Sequence, residues 1–221
     1  MPKSKTSLNE LLYDIRRIEQ HREVLTESKI KSIYQSLMKD LNAFVANEYT
    51  KYADTDGRLY MSYLDAQNKR AKFLQEVINN VDSVSPAIRE EMETLIDMTY
   101  QKSYEGMAKA VLKADTEGKL ANITKDISVR PEVLKQAVAN NISKLTLPTV
   151  LERYRAEVIY QIQQELNIGL MQGDRYEQMA KRISDRVGVS QSKAMNITRT
   201  ETHRNIESGF MDCAENLQQS L

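Results

Sequence analysis

The chain has 221 residues but only 7 glycines and 4 prolines, about 5% together where ordinary proteins carry ~12%. So few turn residues exclude a sandwich or barrel of many short strands, each of which needs its own breakers, and leave long helices. The 31 basic and 31 acidic residues cancel to zero net charge, which argues against a chain whose main work is gripping duplex DNA through a basic surplus.

The first element is expected from Ser7 to Tyr52. Leu8, Leu11, Leu12, Ile15 and Ile18 recur at three and four, the period of one helix face. A more polar stretch follows, and the pattern resumes at Ile30, Ile33, Tyr34, Leu37, Met38, Leu41, Phe44 and Val45. Thr26 and Ser28 are candidate caps, so the segment reads as either one helix or two. Asp54-Thr55-Asp56-Gly57 is a turn, and Leu59 to Val81 reads as a helix returning antiparallel across a short connection. Ser85 and Pro86 predict an N-cap and first helical position for a third long helix, ending near Ala114. Residues 116–130, with Gly118 and no sustained period, read as a linker. Pro131 to Ser143 is expected to be a short helix. Pro148 opens another that Gly173-Asp174 ends. Arg175 to Val187 reads as a short helix stopped by Gly188, and Ser190 caps the last helix. The expectation is an all-α protein: a long-helix region of helical hairpins over 1–115, a linker at 116–130, and a smaller C-terminal helical bundle over 131–221.

The first seven residues lack the apolar stretch of a signal peptide, and no apolar run approaches the ~18 residues that span a bilayer. Cys213 is the single cysteine, which suits a reducing compartment. A soluble product of a cytoplasm, without membrane partners, is expected.

Several constellations could carry chemistry. Placing Gly57 at position six of a calcium loop puts Asp54 and Asp56 correctly, but it puts Tyr63 where the bidentate glutamate belongs. An Asx–glycine turn is the favoured reading. Tyr49, Tyr52, Tyr60 and Tyr63 flank that turn; they either pack the hairpin tip or meet a partner. Arg175, Arg182 and Arg186 share one helix stripe and could touch phosphate, but Asp174, Glu177 and Asp185 are interleaved, as on a solvated face. His203 and Cys213 lie roughly 15 Å apart along one helix, too far to share a metal. Neither a Gly-x-Ser-x-Gly elbow nor a phosphate-binding glycine loop is present. No cofactor, metal or catalytic residue is expected.

The last helix says most. Its apolar stripe should follow Met195, 199, 202, Ile206, Phe210, Cys213 and Leu217, yet two of those positions are Arg199 and Thr202. A guanidinium on an apolar stripe must find a partner or open to a groove. Arg199, His203 and Glu207 form a ladder, and Arg204 can pair with Glu201 or Glu207. An ion-pair network that fixes helix register is favoured over ligand chemistry. Removing Arg199 is then expected to cost about 3–5 kcal/mol, as for a broken buried charge pair.

The run Arg199-Thr200-Glu201-Thr202, followed by Arg204-Asn205, resembles the arginine-rich helix of the phage Mu F-like minor head proteins, the head morphogenesis family of tailed bacteriophages. Upstream, Gly173-Asp174-Arg175-Tyr176-Glu177-Gln178-Met179-Ala180 resembles that family's glycine, polar residue and short helix. The match covers roughly Leu147 to Leu217. Family members carry, after this helix, a further segment with an Asp-x-Arg-Thr and a histidine, which has no counterpart up to Leu221. The resemblance implies a non-enzymatic minor structural protein of the virion head. Such a protein would act at the portal vertex in head assembly, DNA packaging or ejection, after synthesis in the host cytoplasm. The implied partners are the oligomeric portal ring and, beyond it, major capsid or scaffolding protein and genomic DNA. Arg199, Thr200, Glu201, Arg204 and Asn205 would hold the bundle or form its docking face. The alternative is a DNA-binding protein delivered with the packaged genome or acting on it.

Overall fold

The computed structural model describes residues 7–115 and 147–219. The expected linker at 116–130 and the helix at 131–143 lie outside those residues. Five helices are described: α1 (Leu8–Tyr52), α2 (Met61–Ala66), α3 (Arg70–Ala114), α4 (Leu147–Gln172) and α5 (Tyr176–Gln219). The described fold is all-α, as the scarcity of breakers requires.

The helices are longer than their internal punctuation suggests. α1 is one 45-residue helix, so Thr26 and Ser28 cap nothing. Its buried positions continue at three and four through Glu19, Glu23, Thr26, Ile30, Tyr34, Leu37 and Leu41, and that unbroken spacing keeps one face inward. Pro86 lies inside α3 rather than at its start. Its ring removes one helical donor, but Val81 and Ile88 on either side are both buried, and packing holds the helix through the defect. Ser85 Oγ donates to the Val81 carbonyl at 3.0 Å instead of capping. The returning helix expected over Leu59 to Val81 is split. α2 ends in a turn with Asn68 at φ 56, a left-handed conformation that asparagine tolerates, and α3 begins at Arg70. Gly188 does not stop a helix either. It lies within α5, where tertiary packing of Val187 and Ala194 outweighs a helix penalty of only about 1 kcal/mol. Gly173, at φ 65, does end α4, as the sequence indicates.

Contacts divide the chain into two units that interleave along it. One draws on Met1–Glu27, Glu91–Leu147 and Asn196–Leu221; the other on Ser28–Glu90 and Pro148–Met195. The linear expectation of 1–115 followed by 131–221 cuts across this grouping, because α1, α3 and α5 each contribute to both units.

The second unit has an apolar core. Ile30, Leu41 and Val45 of α1, Phe73 and Val77 of α3, and Ile162 and Leu166 of α4 are all essentially sealed. Tyr34 and Tyr154 bury their rings there, with hydroxyls 2.5 Å apart, and Tyr154 donates to the Ser190 carbonyl. Burial pushes the Tyr34 hydroxyl up to about 12, so the pair stays neutral.

The first unit packs the start of α1, the end of α3 and the end of α5. Ile96, Tyr100, Ile206, Phe210 and Cys213 supply its apolar part, and burial raises the Cys213 thiol to about 11. Among the described residues it also buries Glu19, Glu23, Thr26, Glu27, Thr99, Ser103, Thr198, Glu201, Thr202 and Asn205, whereas the other unit buries only Asp174 and Ser190 among its polar and charged side chains. One unit is therefore apolar-cored, and the other combines apolar packing with a buried polar cluster.

Candidate functional site

The buried polar cluster is built around the arginine-rich run of α5. The inward stripe of α5 passes through Thr198, Glu201, Thr202, Asn205 and Ile206. Thr202, Ile206, Phe210, Cys213 and Leu217 of the expected stripe are buried, whereas Met195 is half-buried and Arg199 is not on the inward face. Arg199 instead lies at the edge, half exposed, and reaches Glu27 of α1 with Nε 2.6 Å from Oε1. Thr200 is on the outer face, its hydroxyl donating to the Asn196 carbonyl at 2.9 Å.

The ladder read as Arg199, His203 and Glu207 exists, but each rung is answered from α1, Arg199 donating in addition to Asn196 of its own helix at 3.3 Å. Arg199 meets Glu27, His203 lies in the field of Glu23, and Glu207 accepts from Arg16 at 2.9 Å. Arg16 also stands over the Phe210 ring, 5.4 Å from its centroid. Arg204 pairs with Glu201 through Nε at 2.9 Å and Nη2 at 2.7 Å, and not with Glu207. Asn205 donates from Nδ2 to the Glu201 carbonyl at 2.8 Å.

Burial dominates the titration of this core. Glu19 is raised above the ordinary carboxylate value by desolvation, despite the opposing Arg22 guanidinium 2.6 Å away. Glu201 is raised by desolvation despite Arg204, and Glu23 is raised by desolvation against the pull of His203.

The α3 wall is close. A Cβ on Gly209 would stand 2.8 Å from the Tyr100 carbonyl oxygen and 3.1 Å from the Tyr104 nitrogen, so α5 approaches the α3 backbone where only glycine fits. Tyr100 donates to Asp212 at 2.5 Å and Asn216 to the Tyr104 hydroxyl at 3.0 Å, which fixes α3 and α5 parallel.

Glu19, Glu23 and Glu27 were not singled out from the sequence. The signal was there, since they sit at intervals of four between Ile15 and Ile30 and continue the apolar stripe with carboxylates.

The tyrosines and the glycine-led segment converge elsewhere, in the apolar-cored unit. Tyr49 is buried and donates to the Asp174 carbonyl at 2.9 Å; burial, then Asp174 and Glu177, raise its hydroxyl. Arg58 and Arg175 form an isolated antiparallel bridge, and Arg58 donates to the Gly173 carbonyl at 3.1 Å. The Tyr60 ring lies over Gly173, where a Cβ would stand 2.1 Å from it. Tyr60 and Tyr63 meet edge-on at 5.3 Å. Tyr52 is half-buried and Tyr63 exposed. The Asp54 turn is an Asx turn: Asp54 Oδ1 accepts from the amides of Asp56 and Arg58 at 3.0 and 2.8 Å. Among the described residues, no group of three or more His, Cys, Asp or Glu side chains could hold a metal ion.

Two of the three stripe arginines are engaged. Arg182 donates to Asp174 at 2.6 Å and to Glu165 at 3.2 Å. Arg186 reaches Glu165 at 2.5 Å, and these bonds, Arg186 first, hold the Glu165 carboxyl below its ordinary range. Arg175 is exposed. No described helix is long and apolar enough to cross a membrane.

No family model matches the chain, and no solved structure matches it. It is similar to the minor head protein GP7 of Bacillus phage SPP1, 29% identical over 189 residues. That similarity covers 86% of this chain, which spans 59% of the relative's length. That likeness over most of the chain agrees with the resemblance to phage minor head proteins carried by Arg199 to Asn205.

Proposed function

We propose that the chain is a non-enzymatic, minor structural protein of a tailed-phage head, located in the virion near the portal vertex and acting in head assembly and in DNA packaging or ejection. The observation that carries this reading is the similarity to a phage minor head protein over 86% of the chain. The site geometry supports it. Arg199 bonds across to Glu27 of α1, while Glu201, Arg204 and Asn205 bond to one another within α5, with Glu201 and Asn205 buried. Thr200 and the outer edge of Arg199 face outward as candidate docking contacts, and the Tyr60–Tyr63 pair offers a second one. The portal ring is the proposed partner, with capsid or scaffolding protein secondary.

The test is co-expression with the portal protein of the same phage, followed by sizing of the purified material. A particle heavier than the bare portal ring is expected, and its excess mass gives the stoichiometry. Elution of the chain apart from the ring removes portal docking. Direct DNA binding is the lesser reading, because Arg182 and Arg186 are already paired with Glu165 and Asp174.

A further inference from the structure

The start of α1 is packed unlike the rest of the helix. Between Leu8 and Glu27 the buried side chains are Glu19, Glu23, Thr26 and Glu27, without one fully buried apolar residue. Leu8, Leu11, Leu12 and Ile15 are only half-buried, Ile15 lying against Gly106 of α3, and Tyr13 is 67% exposed, Ile18 51%, Val24 58% and Leu25 52%. Burying this face returns less hydrophobic free energy than a sealed apolar face would and strips water from three carboxyls. The carboxyls are incompletely compensated. Among the described residues, Glu19 Oε2 and Glu23 Oε2 have no hydrogen-bond partner, nor do Ser103 Oγ of α3 and Asn205 Oδ1 of α5. Such groups cost free energy where they are, and water satisfies all four once the helices part.

The ion pairs that attach the segment to α5 are light. The ion pairs Arg16–Glu207 and Arg199–Glu27 each use an arginine about half exposed, at 46% and 48%, and pairs of that kind contribute little. Beyond Ser28 the same helix face becomes Ile30, Tyr34, Leu37 and Leu41, each at most 2% exposed. The change falls at Thr26–Ser28, where the sequence offers two good N-cap residues that the intact helix leaves unused as caps.

We propose that residues 8–27 of α1 form a releasable arm. The arm separates from α3 and α5 as a unit, while α1 from Ile30 onward stays folded with Thr26 or Ser28 as its new N-cap. Release hydrates the carboxylate face and uncovers the Thr198–Asn205 face of α5. This inference rests on the packing alone and stands whether or not the chain docks on a portal.

Hydrogen exchange of the whole wild-type chain at neutral pH tests it. Amides of residues 18–26 are expected to exchange at least ~100-fold faster than those of 34–45, although both lie inside the same continuous helix, because local opening sets their protection. The double variant Glu19→Leu with Glu23→Leu is expected to slow exchange of 18–26 by at least ~10-fold and leave 34–45 unchanged. Wild-type protection equal in the two stretches to within about threefold overturns the proposal, and so does a variant whose arm exchanges faster than wild type.

Discussion

Arg199 and Glu27 form a two-point ion pair, with Nε 2.6 Å from Oε1 and Nη2 3.0 Å from Oε2. It joins the end of the arm in α1 to the most recognisable stretch of α5. The guanidinium is 48% exposed and the carboxylate 11%, so the partners differ in what they lose when separated. Arg199→Ala leaves a nearly buried carboxylate alone and is expected to cost about 1–2 kcal/mol. That is below the 3–5 kcal/mol expected of a fully buried pair, because water already screens the arginine. Urea unfolding of Arg199→Ala, Glu27→Ala and the double variant checks this; a coupling energy near zero would sink the pair as a stabilising contact.

Gly209 and Gly188 lie in the same helix and should respond oppositely to alanine. At Gly209 the new methyl meets the α3 backbone at 2.8 Å, and overpacking of that kind costs about 1–3 kcal/mol. At Gly188 nothing lies within 4 Å, and removing a helix-interior glycine contributes about 0.5–1 kcal/mol of stability. Thermal melts of the two variants give a shift in opposite directions; a shared direction contradicts the close α3–α5 approach.

The two units should respond to pH in opposite senses. Glu19 and Glu201 are raised above 4.5 by burial, so the folded state favours their protonated form. Their contribution is fully present below 4.5 and is lost as pH rises through the folded value. Glu165 is lowered from 4.5 by Arg186 and Arg182, so its contribution is present above 4.5 and lost as pH falls through its folded value. Acidifying from neutrality toward pH 5 should therefore strengthen protection in α5 around Glu201 and leave the surroundings of Glu165 unchanged. Exchange measured at both pH values decides it, and weaker protection around Glu201 at the lower pH is the contrary result.

Duplex DNA binding at low salt should be weak, with a log–log salt slope shallower than about −2, since only Arg175 of the three stripe arginines is free of a carboxylate partner on its own unit's described helices. Arg182→Ala should lower stability by about 1–2 kcal/mol by leaving the buried Asp174 carboxylate short of its partner. A steep salt slope abolished by Arg182→Ala would restore the phosphate reading.

Gly173→Ala should destabilise the tyrosine tip, because φ 65 and the overlying Tyr60 ring both exclude a methyl group. A loss of about 1–3 kcal/mol is expected, read as a lower urea midpoint; an unchanged midpoint would show that the tip gives way freely.

Residue identity by itself determined that this chain is helical. Few breakers and a three-to-four apolar spacing leave no other way to bury its side chains, and Gly173 ends α4 because its backbone conformation admits glycine. The run from Arg199 to Asn205 was equally legible, because its charged residues stand where an apolar stripe should pass. Tertiary structure decided what local signals could not. Pro86 and Gly188 stay inside helices because the packing of their neighbours outweighs a lost donor and a flexible backbone. Arg199 and Glu207 form their ion pairs across to α1 rather than along α5, because the facing helix offers Glu27 and Arg16 at closer range. Three glutamates became interior only once α3 and α5 closed over them, for burial belongs to the assembled helices and is not a property of a residue alone.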